Sequence, residues 1–206
     1  MALQARKGIS RRSWLLAGLA IRVSGARANP LLSVTSDGDS LHVAAPQLHF
    51  LTGKPLARLM DGNTVVFLSQ LTLYRNSPDQ VFRKQPERIT VSYDVWEEKF
   101  KVVLALDPHS ASHLSLAETE AWCINNLAIS ALGLEPPQPF WLRFELRTAS
   151  ERDLSAVAGD SGISIRGLIE VFSRRAGLGD ERWQLDAGPL RLIDLPRIVI
   201  RRNRNG

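Results

Sequence analysis

Apolar and polar residues alternate along most of this chain, and the places where the period changes mark its elements. Leu31 to Thr35 and Leu41 to Ala45 flank Ser36-Asp37-Gly38-Asp39. An Asp-Gly pair between two apolar runs predicts a hairpin, because glycine takes positive φ without steric cost. Pro46 breaks that pattern and the apolar parity moves to Leu48 and Phe50. Leu56, Leu59 and Met60 then fall at i, i+3, i+4, the spacing of a short helix, with Gly62 placed to stop it. Val65, Phe67, Leu71 and Leu73 share one face of a strand over 64–74, which a turn at Asn76-Ser77-Pro78-Asp79 follows. Ile89, Val91, Tyr93 and Val95 alternate with polar residues, as do Phe100, Val102, Leu104 and Leu106. Joined by Trp96-Glu97-Glu98, they predict an antiparallel pair with one buried and one wet face.

Ser115 and Glu118 have the spacing of a capping box, opening a helix with Leu116, Cys123, Ile124 and Leu127 on one face. Thr119 and Glu120 interrupt that stripe, and Gly133 and Pro136-Pro137 close the segment. Phe140, Leu142, Phe144 and Leu146 alternate with Trp141, Arg143, Glu145 and Arg147, a half-exposed strand. Ile165, Leu168, Ile169 and Phe172 predict a second amphipathic helix, stopped at Gly177. Trp183 with Leu185, and Leu190 with Leu192, read as strand pieces around a bulge or turn at Gly188-Pro189. Hairpin-joined strands with interspersed helices predict an α+β fold, a mostly antiparallel sheet with two or three short packing helices. A helix-decorated β-sandwich is the alternative. No repeat, low-complexity tract or interdomain linker is present, so 29–195 reads as a single globular domain.

Charge changes this picture at the ends only. The 206 residues carry 26 basic and 21 acidic side chains, a net of +5. Residues 1–28 hold six of the basic ones and no acidic residue, and four more arginines lie in 197–206, a basic tail beginning at 196. The body from 29 to 196 is left with 16 basic against 21 acidic residues, so it lacks the concentrated positive field that nucleic acid requires. The N-terminus has the layout of an export signal: a basic stretch, a short apolar run from Trp14 to Ile21, and Ala26-Arg27-Ala28 as a small-x-small cleavage pattern. Ser10-Arg11-Arg12-Ser13-Trp14-Leu15-Leu16 resembles a twin-arginine signal, with Trp14 where Phe is preferred and Leu16 where Lys is common. Arg11, Arg12, Ala26 and Ala28 are therefore the expected targeting residues, and a periplasmic or secreted location the expected destination. No stretch of the remaining chain is long and apolar enough to span a bilayer. The single Cys123 permits no intramolecular disulfide and reads as buried filler.

Several motifs invite a catalytic reading. Gly38-Asp39-Ser40-Leu41 spells the signature of GDSL-type esterases, but His42, His49, His109 and His113 are the only histidines and none follows 113. The Asp37-Gly38 turn explains the same residues. Gly159-Asp160-Ser161-Gly162 resembles the nucleophile motif of chymotrypsin-like proteases, without the glycine that follows there. Asp107, His109, His113, Glu118 and Glu120 cluster, yet Pro108 and two serines disfavour the helix that would align the histidines, so a solvated loop is the reading. The sequence calls for no cofactor. What remains is surface chemistry: Trp96 beside Glu97 at a hairpin end, and Trp141 beside Arg143 on the polar side of its strand, are candidate contact anchors.

Tyr93-Asp94-Val95-Trp96-Glu97-Glu98-Lys99-Phe100, together with the strand at 140–147, resembles an uncharacterised family of exported bacterial proteins, domains of unknown function often encoded beside nitrogen-regulation sensor kinases. The resemblance spans roughly residues 40–150. It implies an extracytoplasmic bacterial domain and transfers no catalytic residue. The expected function is a non-catalytic binding module that contacts another envelope protein. A carrier of an apolar small molecule, lined by Phe67, Phe100, Phe144 and Phe172, is the alternative. An exported serine hydrolase using Ser40 or Ser161 is third.

Overall fold

The computed structural model describes residues 31–106, 108–159, 162–173 and 181–198. The leader with Arg11, Arg12, Ala26 and Ala28, together with Asp107, Ser161, Gly177 and the arginines beyond 198, lies outside them.

Asp37 builds the first turn. Its Oδ1 accepts from the N–H groups of Asp39 (3.1 Å) and Ser40 (2.7 Å), and Gly38 takes φ +106°. Strands β1 (Ser33–Ser36) and β2 (Ser40–Ala44) thus fold back with Ser36 opposite Leu41. Helix α1 (Gly53–Met60) ends where Gly62, at φ +78°, donates its N–H to the Leu59 carbonyl. Strands β3 (Val65–Arg75), β4 (Val81–Asp94), β5 (Lys99–Leu104) and β6 (Ser110–Leu114) follow. Helix α2 (Leu116–Asn125) opens with the predicted capping box, Ser115 Oγ accepting from the Glu118 N–H and Glu118 Oε2 from the Ser115 N–H. Next come β7 (Ala128–Ser130), β8 (Phe140–Thr148) and α3 (Glu151–Val157). The two-residue strands β9 (Ala158–Gly159) and β10 (Gly162–Ile163), α4 (Ile165–Ser173) and β11 (Arg182–Leu190) complete the order.

The large sheet runs β11-β8-β3-β4-β5-β6, every pair antiparallel. Its inner face carries the alternating residues read from the sequence: Phe67, Leu71 and Leu73 on β3, Ile89 and Val91 on β4, Phe140 to Leu146 on β8. Onto it pack α1, α2 and a small sheet ordered β1-β2-β7. Each fully buried Phe or Leu here contributes about 1.5–3 kcal/mol. Cys123 is buried in this core, and burial pushes its thiol pKa up, which keeps it unreactive. A second core covers the outer face, where Leu68 meets Val157 of α3 and Leu168, Val171 and Phe172 of α4. The architecture is α+β with mostly antiparallel sheets.

Some details depart from the pattern reading. Four α-helices are present among the described residues, not two or three. The unpredicted α3 has a sequence dominated by Glu151, Arg152 and Asp153 and buries only Asp153 and Val157. β4 starts at Val81, eight residues before its clear alternation; in that stretch it pairs only with β3, so Pro86 forfeits no ladder bond to β5. The expected loop after 107 contains β6, an edge strand without apolar alternation. Val95 points outward, because β4 ends at Asp94. Leu192 belongs to a 3₁₀ turn (Leu192–Asp194), not a strand. The bulge predicted at Gly188-Pro189 is present, with a cis peptide bond. Pairing also continues past 195: Ser36 donates to the Pro196 carbonyl and accepts from the Ile198 N–H.

Gly167 sets how closely the two outer helices approach. A Cβ there would run into the Ala156 carbonyl oxygen and come within 3.0 Å of its carbon and 3.2 Å of Val157 Cα. Helix propensity alone favours Ala over Gly by about 1 kcal/mol, so the sign of the change decides between the two effects. Gly167→Ala is expected to destabilise by about 1–3 kcal/mol, read as a lowered urea midpoint. A raised midpoint would show that α3 and α4 do not touch this closely.

Candidate functional site

The β4–β5 hairpin ends in a turn organised by Asp94, whose Oδ1 accepts from the N–H groups of Trp96 (2.9 Å) and Glu97 (3.1 Å). Glu98 closes it at φ +53°. With its backbone tied this way, Trp96 stands 97% exposed. Val95 beside it and Met60 at the end of α1 are exposed as well, and Gly62 is close enough to Val95 for an added Cβ to touch its Cγ2. Glu97 turns the other way and pairs with His113 Nδ1 of β6 at 2.8 Å. This pair borders a cleft of about 330 Å³ that Tyr93, Lys99 and Lys101 also line.

Trp141 and Arg143 lie on the outer face of β8, as alternation predicts. Trp141 is half-buried instead of exposed, because Gly188 of β11 rests on it: a Cβ at 188 would stand 2.8 Å from Trp141 Cγ. Register places Asp186 opposite Arg143 and Tyr74 opposite Trp141. Arg143 Nε donates to Asp186 Oδ1 at 2.6 Å, and this bond raises the guanidinium pKa further. Gln184 Nε2 donates to Asp186 Oδ2 at 2.9 Å. Tyr74, Pro78, Trp141, Arg143, Asp186 and Gly188 enclose a recess of about 190 Å³. Sequence reasoning missed Tyr74, Asp186 and Gly188 as neighbours of Trp141; their proximity is a consequence of strand register, and no local motif encodes it.

The four expected contact residues therefore form two sites. Trp141 faces Tyr74 near one end of β3, whereas Val65 at the other end pairs with Val91, three residues before Asp94. The nine steps from Val65 to Tyr74 span about 30 Å of strand, and the hairpin tip lies beyond. Trp96 with Glu97 and Trp141 with Arg143 do not share a contact surface.

The catalytic motifs separate too. At Ser36–Ser40 the turn N–H groups that an oxyanion would need are occupied: Gly38 donates to Ser36 Oγ, and Asp39 and Ser40 to Asp37. His42 Nε2 is bound to Asp37 Oδ2 at 3.0 Å. Hydrogen bonds from His42 and the Ser40 N–H hold the Asp37 carboxyl below its usual range. A cavity of about 730 Å³ borders this turn, with Pro136, Ile193 and Arg197 on its other side, but among the described residues no hydrogen bond joins Ser40 to a base. Ser161 lies outside the described residues. The acidic and histidine residues that cluster in sequence disperse: Glu118 caps α2, Glu120 turns into the protein, and His113 pairs with Glu97. No cluster of three or more metal-ligating residues occurs among the described residues. Phe67, Phe100 and Phe144 belong to the inner core and Phe172 to the outer one, so they line no common pocket. No described helix is long and apolar enough to cross a membrane. Comparison of the chain with protein-family models, curated proteins and solved structures returned no match.

Proposed function

We propose that the protein is a non-catalytic binding module of the bacterial envelope, exported by its basic leader to the periplasm or beyond, and that it contacts a partner protein through the tip of the β4–β5 hairpin. The observation that carries this reading is Trp96, almost fully solvent-exposed on a turn whose backbone Asp94 holds in place. A tryptophan left in water on an ordered turn offers a large apolar area at little ordering cost, which is the profile of an interface anchor. Val95 and Met60 extend the apolar surface around it. Kinship with the uncharacterised exported family is part of the same proposal, since that resemblance rests on the segment forming this hairpin.

The test starts from a photocrosslinking side chain at position 96 in the envelope of the producing cell. The crosslinked protein is then purified and titrated against the wild-type chain and Trp96→Ala. Trp96→Ala is expected to lose about 2 kcal/mol of binding, roughly 30-fold in Kd, with unchanged circular dichroism and melting. Equal affinity of the two chains would remove the hairpin tip from the interface.

A further inference from the structure

The recess at the β11 edge has a chemistry of its own, independent of the hairpin tip. Its one cation and one anion neutralise each other: Arg143 is bonded to Asp186 through Nε, and among the described residues no hydrogen bond is made by its terminal nitrogens. Asp186 accepts one bond on each oxygen, from Arg143 and Gln184, and a carboxylate has further lone pairs to offer. Farther along β8 and β11, Arg182 neutralises Glu145 through Nη2. An anionic ligand would face Asp186, and a cationic one would face Arg143. A purely apolar ligand would strip water from both without replacing its hydrogen bonds, which is unfavourable.

The ligand that fits is neutral and carries groups that both donate and accept. A sugar hydroxyl does both. The rings of Tyr74 and Trp141, with Pro78 and Gly188, complete the lining. The Arg143 guanidinium sits 5.6 Å from the centre of the Tyr74 ring, and the Trp141 ring lies so close to the β11 backbone that a Cβ at 188 would stand 2.5 Å from its Cδ1. The Trp141 ring cannot be displaced toward β11, so the wall exists before any ligand arrives. At about 190 Å³ the recess is smaller than the roughly 300–1,000 Å³ of a drug-sized site, which suits one ring of a larger molecule. We propose that the recess bounded by Tyr74, Trp141, Arg143 and Asp186 is a subsite for one ring of an uncharged saccharide.

The full chain is titrated with maltotriose, cellotriose and the N-acetylglucosamine trimer by ligand-observed saturation-transfer NMR, with sodium acetate and butylamine as singly charged controls. At least one saccharide is expected to give a saturable signal with Kd of about 1 mM or tighter. Trp141→Ala and Arg143→Lys should each weaken it about tenfold or more, the lysine because it lacks the planar fork that Asp186 orients. Trp96→Ala should leave it unchanged, which separates this site from the hairpin tip. The proposal fails if none of the saccharides saturates by about 10 mM, if acetate or butylamine is the only binder, or if Arg143→Lys binds as well as wild type. Arg143→Lys preserves charge at a half-exposed position, so it reports on the site even where Trp141→Ala does not fold.

Discussion

Replacing Asp153 by alanine is expected to cost about 3–5 kcal/mol of folding stability, because it breaks a buried ion pair and removes the carboxylate that Ser150 also bonds. Arg147 on β8 and Asp153 on α3 are only 4% and 5% exposed, and Arg147 Nη2 stands 2.6 Å from Asp153 Oδ2. The same oxygen accepts from the N–H and hydroxyl of Ser150, while Arg147 Nη1 reaches the Val171 carbonyl in α4. One ion pair therefore joins the outer face of the sheet to both helices that cover it. Exchanging the pair together, Arg147→Met with Asp153→Leu, should be far less damaging than Asp153→Ala, since both buried charges are then removed at once. Equal loss in both variants would mean that packing, not charge, dominates there.

The same carboxylate predicts a pH dependence with a defined sign. Burial alone would raise the Asp153 pKa, but the Ser150 N–H and hydroxyl and the Arg147 guanidinium outweigh it and hold the group below its ordinary value. A carboxyl with a lower pKa folded than unfolded stabilises the protein above the unfolded value, about 3.9, and loses that contribution as pH falls through the folded value. Urea midpoints of wild type and Asp153→Asn should differ most near neutrality and converge below about pH 4. A difference that stays constant through the acid range would contradict this assignment.

What the chain discloses locally and what it conceals follow one physical division. β3, β5 and β8 were readable because a strand beside a core must alternate, and Phe67, Phe100 and Phe144 do so. The α2 start was readable because a capping box is a bond between residues three apart. Helix α3 was hidden because its buried polar residue is Asp153, whose burial is made tolerable by bonds from outside the helix, from Ser150 and from Arg147 on β8. The recess was half readable: alternation puts Trp141 and Arg143 on the polar side, but Asp186 is 43 positions from Arg143, and only the β8–β11 register makes them neighbours. Trp96 was readable for the opposite reason, since a three-residue turn has no room to bury an indole.

Glu120 shows how a break in a pattern can be the informative residue. In the α2 stripe it stands where an apolar residue is expected, and it is 4% exposed. Its Oε1 accepts from the N–H groups of Phe50 (2.6 Å) and Leu51 (2.7 Å), and its Oε2 lies 2.9 Å from His49 Nδ1. Phe50 and Leu51 are fully buried, so their N–H groups have no water to turn to. Glu120→Ala leaves both donors unpaired at about 1–3 kcal/mol each, a loss of roughly 2–6 kcal/mol. Glu120→Gln keeps an acceptor for the two N–H groups and should cost about 1 kcal/mol or less. His49→Ala should cost little, because that side chain is largely in solvent. Amide hydrogen exchange locates the effect: the Phe50 and Leu51 amides should exchange slowly in wild type and Glu120→Gln, and fast in Glu120→Ala under conditions where the rest of the inner core stays protected. If those two amides remain protected in Glu120→Ala, another acceptor holds the 48–51 segment. If Gln is as damaging as Ala, the negative charge matters more than the two backbone bonds.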